Sequence, residues 1–307
     1  MTLGKLLLVA LLASVLTAAE TPEQLAESGH CREALPLLKA RLAKVTGAEA
    51  RKRAAIDGVR CGMTLDDTAT ALDYLRDLEQ HFPKDAAVLY LAVHVFSDLS
   101  TRASQKLMVA APESYQVHEL DAEALEVQGK WKEAEEEYRE VLKREPGLAG
   151  IHYRIGRLLL SNPEAVSRKD DARHELEEEL KIDPNNAGAE YVLGELARQD
   201  GQDQAAIDHF SRATKLDAGF ADAFLSLGRA LLASDRAAEA IAPLETVVKL
   251  EPDNPMTHFA LATAYTRTGR KQDAEREFAL QQQANKKLEQ TKQDVRQKIA
   301  GAPPQAK

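Results

Sequence analysis

The sequence predicts an all-α chain built as a solenoid of stacked helical hairpins. Three observations carry this. Ala172, Ala206, Ala240 and Ala274 recur every 34 residues, and Leu176, Phe210, Leu244 and Phe278 keep the same interval. The same spacing holds Leu193, Leu227 and Leu261 and the turn positions Gly201, Asp235 and Gly269, and Gly194 and Gly228 are followed in register by Ala262. Columns in phase denote one supersecondary unit used many times, not one globular core. Within each unit, apolar residues fall three and four apart, as on a helix face, and no stretch alternates as a strand does.

One unit, Ala187 to Phe220, shows how the pattern folds. Tyr191, Leu193, Leu196 and Ala197 line one face of a first helix, and Asp200-Gly201 breaks it. A second helix from about Asp203 to Leu216 carries Ala206, Ile207, Phe210 and Ala213 on one side. In the next unit Leu250-Glu251-Pro252-Asp253-Asn254 stops the helix, and Pro255 cannot continue it because it lacks an N–H. Small residues (Gly194, Ala206, Gly228, Ala240) suit close helix approach, and Phe210, Leu244 and Phe278 fill what remains. Such a hairpin cannot bury its apolar face alone and must stack on its neighbours.

At these residues the chain resembles the tetratricopeptide repeat. The shared pattern is Leu-Gly in the first helix, a turn glycine, Ala early in the second helix, a large apolar residue four positions on, and a closing Pro. Gly129-Lys130-Trp131-Lys132-Glu133-Ala134 with Tyr138 and Pro146 is a second match, and Leu227-Gly228, Ala240, Leu244 and Pro252 a third. The resemblance implies a right-handed superhelical solenoid of antiparallel helix pairs, and a non-enzymatic protein-interaction scaffold that holds a peptide or partner protein in its concave groove.

From the N-terminus onward the elements read as follows. Residues 1–19 carry Lys5, the apolar run Leu6 to Leu16 and the small residues Thr17-Ala18-Ala19, the layout of a cleaved signal peptide. This places the chain in the periplasm or outside the cell. An uncleaved N-terminal membrane anchor is the alternative, although the run is short of the ~20 residues a span needs. Residues 20–114 form degenerate hairpin repeats. Gly29 to Ala34 resembles a turn and second helix, Arg53 to Gly62 and Asp67 to Gln80 are helical in pattern, and Ala86 to Phe96 is a strongly apolar helix. A short second helix is expected at about Ser104 to Ala110.

Residues 115–287 hold five repeats in register, the second lengthened by four residues between Gly156 and Ala172. The turn-rich stretch Ser161 to Arg168 takes the insertion, as a tolerated loop or as a partner-contacting one. Residues 288–300 read as a capping helix with a narrow stripe (Leu280, Ala284, Leu288, Val295, Ile299), and a self-association helix is the alternative. Residues 301–307 read as a disordered tail.

Cys31 opens one helix and Cys61 closes the next. Consecutive helices of this architecture run antiparallel, so the two cysteines come together, and in an oxidising compartment they can pair. The bond would contribute about 3 to 4 kcal/mol by chain entropy. Two buried thiols are the alternative; a metal site using His30 lacks an evident fourth ligand.

The formal charge of −9 disfavours nucleic acid as a partner, since phosphate binding needs a cationic face. Acidic runs such as Glu133 to Glu140 read as solvated helix faces. No nucleophile elbow, phosphate loop, zinc-protease or dinucleotide motif occurs, so neither enzyme activity nor a cofactor or metal is expected. His118, His152 and His258 share one column four residues before the small residue of the first helix and read as packing or half-exposed groups. Trp131 likewise reads as packing.

The resemblance assigns the first helices to the groove. Its columns are Tyr153, Tyr191, Leu225 and Phe259, then Arg157, Glu195, Arg229 and Thr263, then Leu160, Arg198, Leu232 and Thr266. The candidate peptide-groove residues are Tyr153, Arg157, Tyr191, Glu195, Arg198, Leu225, Arg229 and Phe259. An apolar stripe beside arginines suits an extended peptide or amphipathic helix with some acidic groups. The Lys and Asn of the family's chaperone-tail clamp are replaced by Tyr153, Arg157, Tyr191 and Glu195, so that specificity is not implied. A self-associating structural subunit of an envelope assembly is the second reading.

Overall fold

The turns inside the last three hairpins end their first helices in the same way. Gly201, Asp235 and Gly269 take φ of 71°, 60° and 79°, the left-handed region that glycine enters freely and aspartate tolerates. The next residue's N–H then bonds back to the helix: Gln202 to Ala197 at 2.9 Å, Arg236 to Leu231 at 2.8 Å, Arg270 to Tyr265 at 2.8 Å. Helix starts are capped where the sequence supplies Asn: Asn186 accepts from the Ala189 N–H, and Asn254 from those of Met256 and Thr257. Repetition of this punctuation makes the hairpins.

The computed structural model describes residues 20–161 and 168–300, with side chains to 297. The signal-peptide segment, the core of the four-residue insertion and the C-terminal tail lie outside the described residues. Among the described residues there are fifteen helices and no strand. The chain divides into two compact units at Ala110/Ala111. The first contains α1 (Pro22–Glu27), α2 (Cys31–Leu42), α3 (Ala48–Thr64), α4 (Thr68–His81) and α5 (Ala86–Ala110). The second contains α6 (Tyr115–Val127), α7 (Trp131–Arg144), α8 (Ile151–Ser161), α9 (Lys169–Ile182) and α10 (Ala187–Gln199). It continues through α11 (Asp203–Leu216), α12 (Ala221–Ala233), α13 (Ala237–Leu250), α14 (Pro255–Arg267) and α15 (Lys271–Ala300). It is an all-α helical-repeat solenoid, with each odd helix from α7 onward the return limb of a hairpin.

The repeat columns meet inside each hairpin. A Cβ added at Gly194 would lie 2.6 Å from the Phe210 ring, and one at Gly228 would lie 2.5 Å from Leu244. Glycine is therefore required by contact rather than by turn geometry. Leu176, Phe210 and Leu244 are each fully buried against this gap. In the last repeat Ala262 stands in the glycine column, and Phe278 is 36% exposed. That ring instead packs obliquely on Phe259, with centroids 6.3 Å apart.

Two helices are longer than the sequence suggests. The expected break between Phe96 and Ser104 does not occur: α5 is continuous from Ala86 to Ala110. No Gly or Pro lies between them, and the Thr101 and Ser104 hydroxyls bond back to the carbonyls of Ser97 and Ser100 within the helix. Nor are residues 288–300 a separate capping helix, because α15 runs unbroken from Lys271. Ala284 is its last buried residue, and residues 285–297 are exposed, so this extension does not cover the final repeat.

In the first unit, Cys31 and Cys61 are joined as a disulfide between α2 and α3, with Cα atoms 4.9 Å apart. Both are buried among Leu38, Val59 and Leu75.

Polar contacts fasten the second unit. His118 Nδ1 lies 2.6 Å from Glu137, His152 Nδ1 2.7 Å from Glu175, and His258 Nδ1 2.7 Å from Glu277. These are one column of first helices meeting one column of second helices. In the third repeat the pair is exchanged: Glu190 stands on the first helix and His209 on the second, 2.6 Å apart. In the fourth the same positions hold Phe224 and Pro243, an apolar substitute. The histidines are hairpin tethers rather than mere packing. The lengthened repeat has its own fastening: Arg168, at the end of the insertion, grips Glu135 through two nitrogens at 2.6 and 2.9 Å. Fully buried Glu179 accepts from the Gly150 and Tyr153 N–H groups at 2.7 and 3.2 Å, capping α8 from the neighbouring helix.

The exchanged pair predicts a rescue. His118→Glu and Glu137→His should each lower stability by about 1–2 kcal/mol, and the double variant should recover most of it. Urea denaturation of the four proteins measures the coupling; a coupling near zero would refute the tether.

Two carboxylates also set an acid limit. The Arg168 hydrogen bonds hold Glu135 below the usual carboxylate range despite burial. Burial pushes Glu190 up, but the hydrogen bonds from His209 and Arg212 outweigh it and hold it below its ordinary value. Their stabilisation is complete above the unfolded carboxylate value, about 4.3, and is lost as pH falls through the lower folded values. Thermal melts should therefore fall steeply below about pH 4.3, less so for Glu190→Gln.

Candidate functional site

The first helices of the second unit set their columns side by side, one repeat to the next. Tyr191, on α10, is half-buried against Phe210 and Phe220, with ring centroids 5.8 and 4.9 Å away. Burial raises its hydroxyl above the ordinary phenol value. One turn on, Arg198 Nη2 donates to Glu195 at 2.7 Å, and Ser226 of α12 donates to the other Glu195 oxygen at 3.0 Å. The carboxylate thus cross-links two repeats, and its hydrogen bond raises the Arg198 guanidinium further.

Tyr191, Glu195, Arg198, Leu225 and Arg229 line one depression of about 290 Å³, together with Asp222, Ser226 and Met256. A second, of about 510 Å³, adjoins it through Arg229 and Met256. Its walls are Leu232 of α12, Pro255, Phe259, Ala260 and Thr263 of α14, and Gln281 and Asn285 of α15. Phe259 is 53% exposed and Met256 54% exposed, so both offer apolar surface.

Tyr153 and Arg157 line neither depression. The Arg157 guanidinium lies over the Tyr153 ring, 5.6 Å from its centroid. That ring is wedged against Gly188, where a Cβ would come within 2.7 Å of the hydroxyl. The tyrosine packs between repeats, and the arginine lies over it.

Seven lining residues were not selected as groove residues from the sequence, Pro255 and Ala260 of α14 among them. Asp222 and Met256 belong to the column of Gly188, three residues before the Tyr191–Leu225–Phe259 column, so a register-based search can find them. Ser226 directly follows that column. Gln281 and Asn285 come from a second helix, and no first-helix pattern points to them.

Among the described residues no group of three or more His, Cys, Asp or Glu is placed to hold a metal ion. No described helix is long and apolar enough to cross a membrane.

Comparison with known proteins supports the fold. The family profile described as "Tetratricopeptide repeat" matches residues 120–167 and 164–220. The profile of the "Bacterial transcriptional activator domain" matches residues 197–290. No curated protein matches the sequence significantly. Among solved structures, MamA protein is similar at 23% identity and a TM-score of 0.51, over 58% of this chain and 96% of that one. YrrB, described as a TPR protein with an unusual peptide-binding site, is similar at 18% identity and a TM-score of 0.50, over 59% of this chain and 92% of that one. Identities this low speak for the fold alone. The profile marks tetratricopeptide repeats over residues 120–220, and the solved neighbours share the all-α helical-repeat fold.

Proposed function

We propose that the second unit is a non-enzymatic scaffold that binds an extended peptide, or an exposed segment of a partner protein, along its first-helix groove. One observation carries this: five side chains spread over three helical turns and two repeats line a single depression. Its walls combine an aromatic face, an internally neutralised Glu195–Arg198 pair and Arg229. That mixture suits a peptide with apolar side chains and some acidic groups. The peptide-binding site named for YrrB supports the reading by analogy of fold.

Panning a displayed library of random 12-residue peptides on the protein tests it. Arg198→Glu combined with Leu225→Ser should weaken enriched peptides at least roughly tenfold, with the helical circular dichroism and melt retained as controls. No enrichment, or binding unchanged by the double variant, would remove the groove from the reading.

We further propose that the chain acts outside the cytoplasm, with residues 1–19 cleaved and the Cys31–Cys61 bond stapling the first unit. Intact mass without reductant checks both points: the chain should begin near Glu20 with both cysteines oxidised. A retained Met1, or two free thiols in protein from its native compartment, would contradict the proposal.

A further inference from the structure

The larger depression at the end of the groove has a chemistry of its own. Leu232, Met256 and Phe259 make its walls apolar, and Arg229 is the only charged residue on them. The neighbouring arginines are all engaged: Arg198 with Glu195, Arg212 with Glu190, and Arg267 with the Leu232 carbonyl. Arg229 has no ion pair or side-chain hydrogen bond among the described residues. It stands where the two depressions meet. Asp222, seven residues earlier on α12, lines the smaller depression with it but makes no ion pair to it among the described residues. The remaining wall comes from α15, where the amides of Gln281 and Asn285 make no hydrogen bond among the described residues. Each amide carries both donors and an acceptor, the complement of an extended peptide backbone.

We infer that this depression is a specificity subsite for one peptide feature: a bulky apolar side chain with a carboxylate within one or two residues of it. This rests on the groove reading above and deepens it. The apolar side chain sits in the 510 Å³ depression against Phe259 and Met256. The carboxylate meets the Arg229 guanidinium at the junction, where an unpaired planar cation favours a two-oxygen acceptor. The Gln281 and Asn285 amides take the backbone between them. α15 thereby forms part of the site.

The enriched 12-residue peptides supply the test. They should share Phe, Leu, Met or Trp beside Asp or Glu. For a synthetic consensus peptide followed by fluorescence anisotropy, replacing the acid by its amide should weaken binding roughly tenfold. Arg229→Glu should reverse the preference, so that a Lys-substituted peptide binds better than the acidic one. Phe259→Ser, at an exposed position, should weaken every peptide while leaving the charge preference intact. If peptides are lost on Arg198→Glu/Leu225→Ser but keep their acid preference on Arg229→Glu, the subsite is overturned and the groove stands. If no peptide is enriched at all, both fall.

Discussion

Everything in the second unit depends on how closely the two helices of a hairpin approach. That distance is set by one contact, a glycine on the first helix receiving a large side chain from the second. Gly194 with Phe210 and Gly228 with Leu244 leave no room for a Cβ. Interiors packed to this density do not yield continuously, so the contact repeats with the same geometry wherever the residue pair repeats. In the last repeat Ala262 stands in the glycine column, and Phe278 is partly exposed and meets Phe259 at the surface.

Close approach leaves polar groups between the helices, and the chain handles them locally. The histidine–glutamate column serves four of the five hairpins without fixing which helix supplies which partner, as the exchanged Glu190–His209 pair demonstrates. A hydrogen-bonded pair has no preferred direction along the hairpin, so either order satisfies it. Where the repeat is lengthened, additional charge is spent on order. Arg168 ties the end of the insertion to Glu135, and Arg139 bridges Glu135 and Glu175 at 2.9 and 3.1 Å. The insertion is therefore absorbed between Gly156 and Ala172, and the register resumes unchanged at Gly194.

The groove follows from the same regularity. Stacking at a fixed interval places residues of one column beside each other, so Tyr191, Leu225 and Phe259 become neighbours in space though 34 residues apart in sequence. Within that frame, individual substitutions decide what the surface offers. Glu195 is consumed by Arg198 and Ser226, whereas Arg229 is left to face the space between two depressions. Tyr153 is equivalent to Tyr191 by register, yet it is wedged against Gly188, because the next repeat offers no side chain at that point.

The sequence by itself determined the fold class, the repeat length and the second unit's helix boundaries to within a few residues. Those properties are periodic, and a period is visible whenever equivalent contacts demand equivalent residues. Helix continuity was less legible. Residues 97–103 mix weak helix formers (Ser97, Asp98, Ser100, Thr101) with strong ones (Leu99, Arg102, Ala103) and hold no true breaker, so α5 continues, and nothing in residues 271–300 stops α15 where the repeat ends. Only the tertiary structure decided the buried cap from Glu179, the histidine tethers and the part played by Gln281 and Asn285. Each joins residues on different helices, and the strength of such a contact depends on distance and burial rather than on any local pattern.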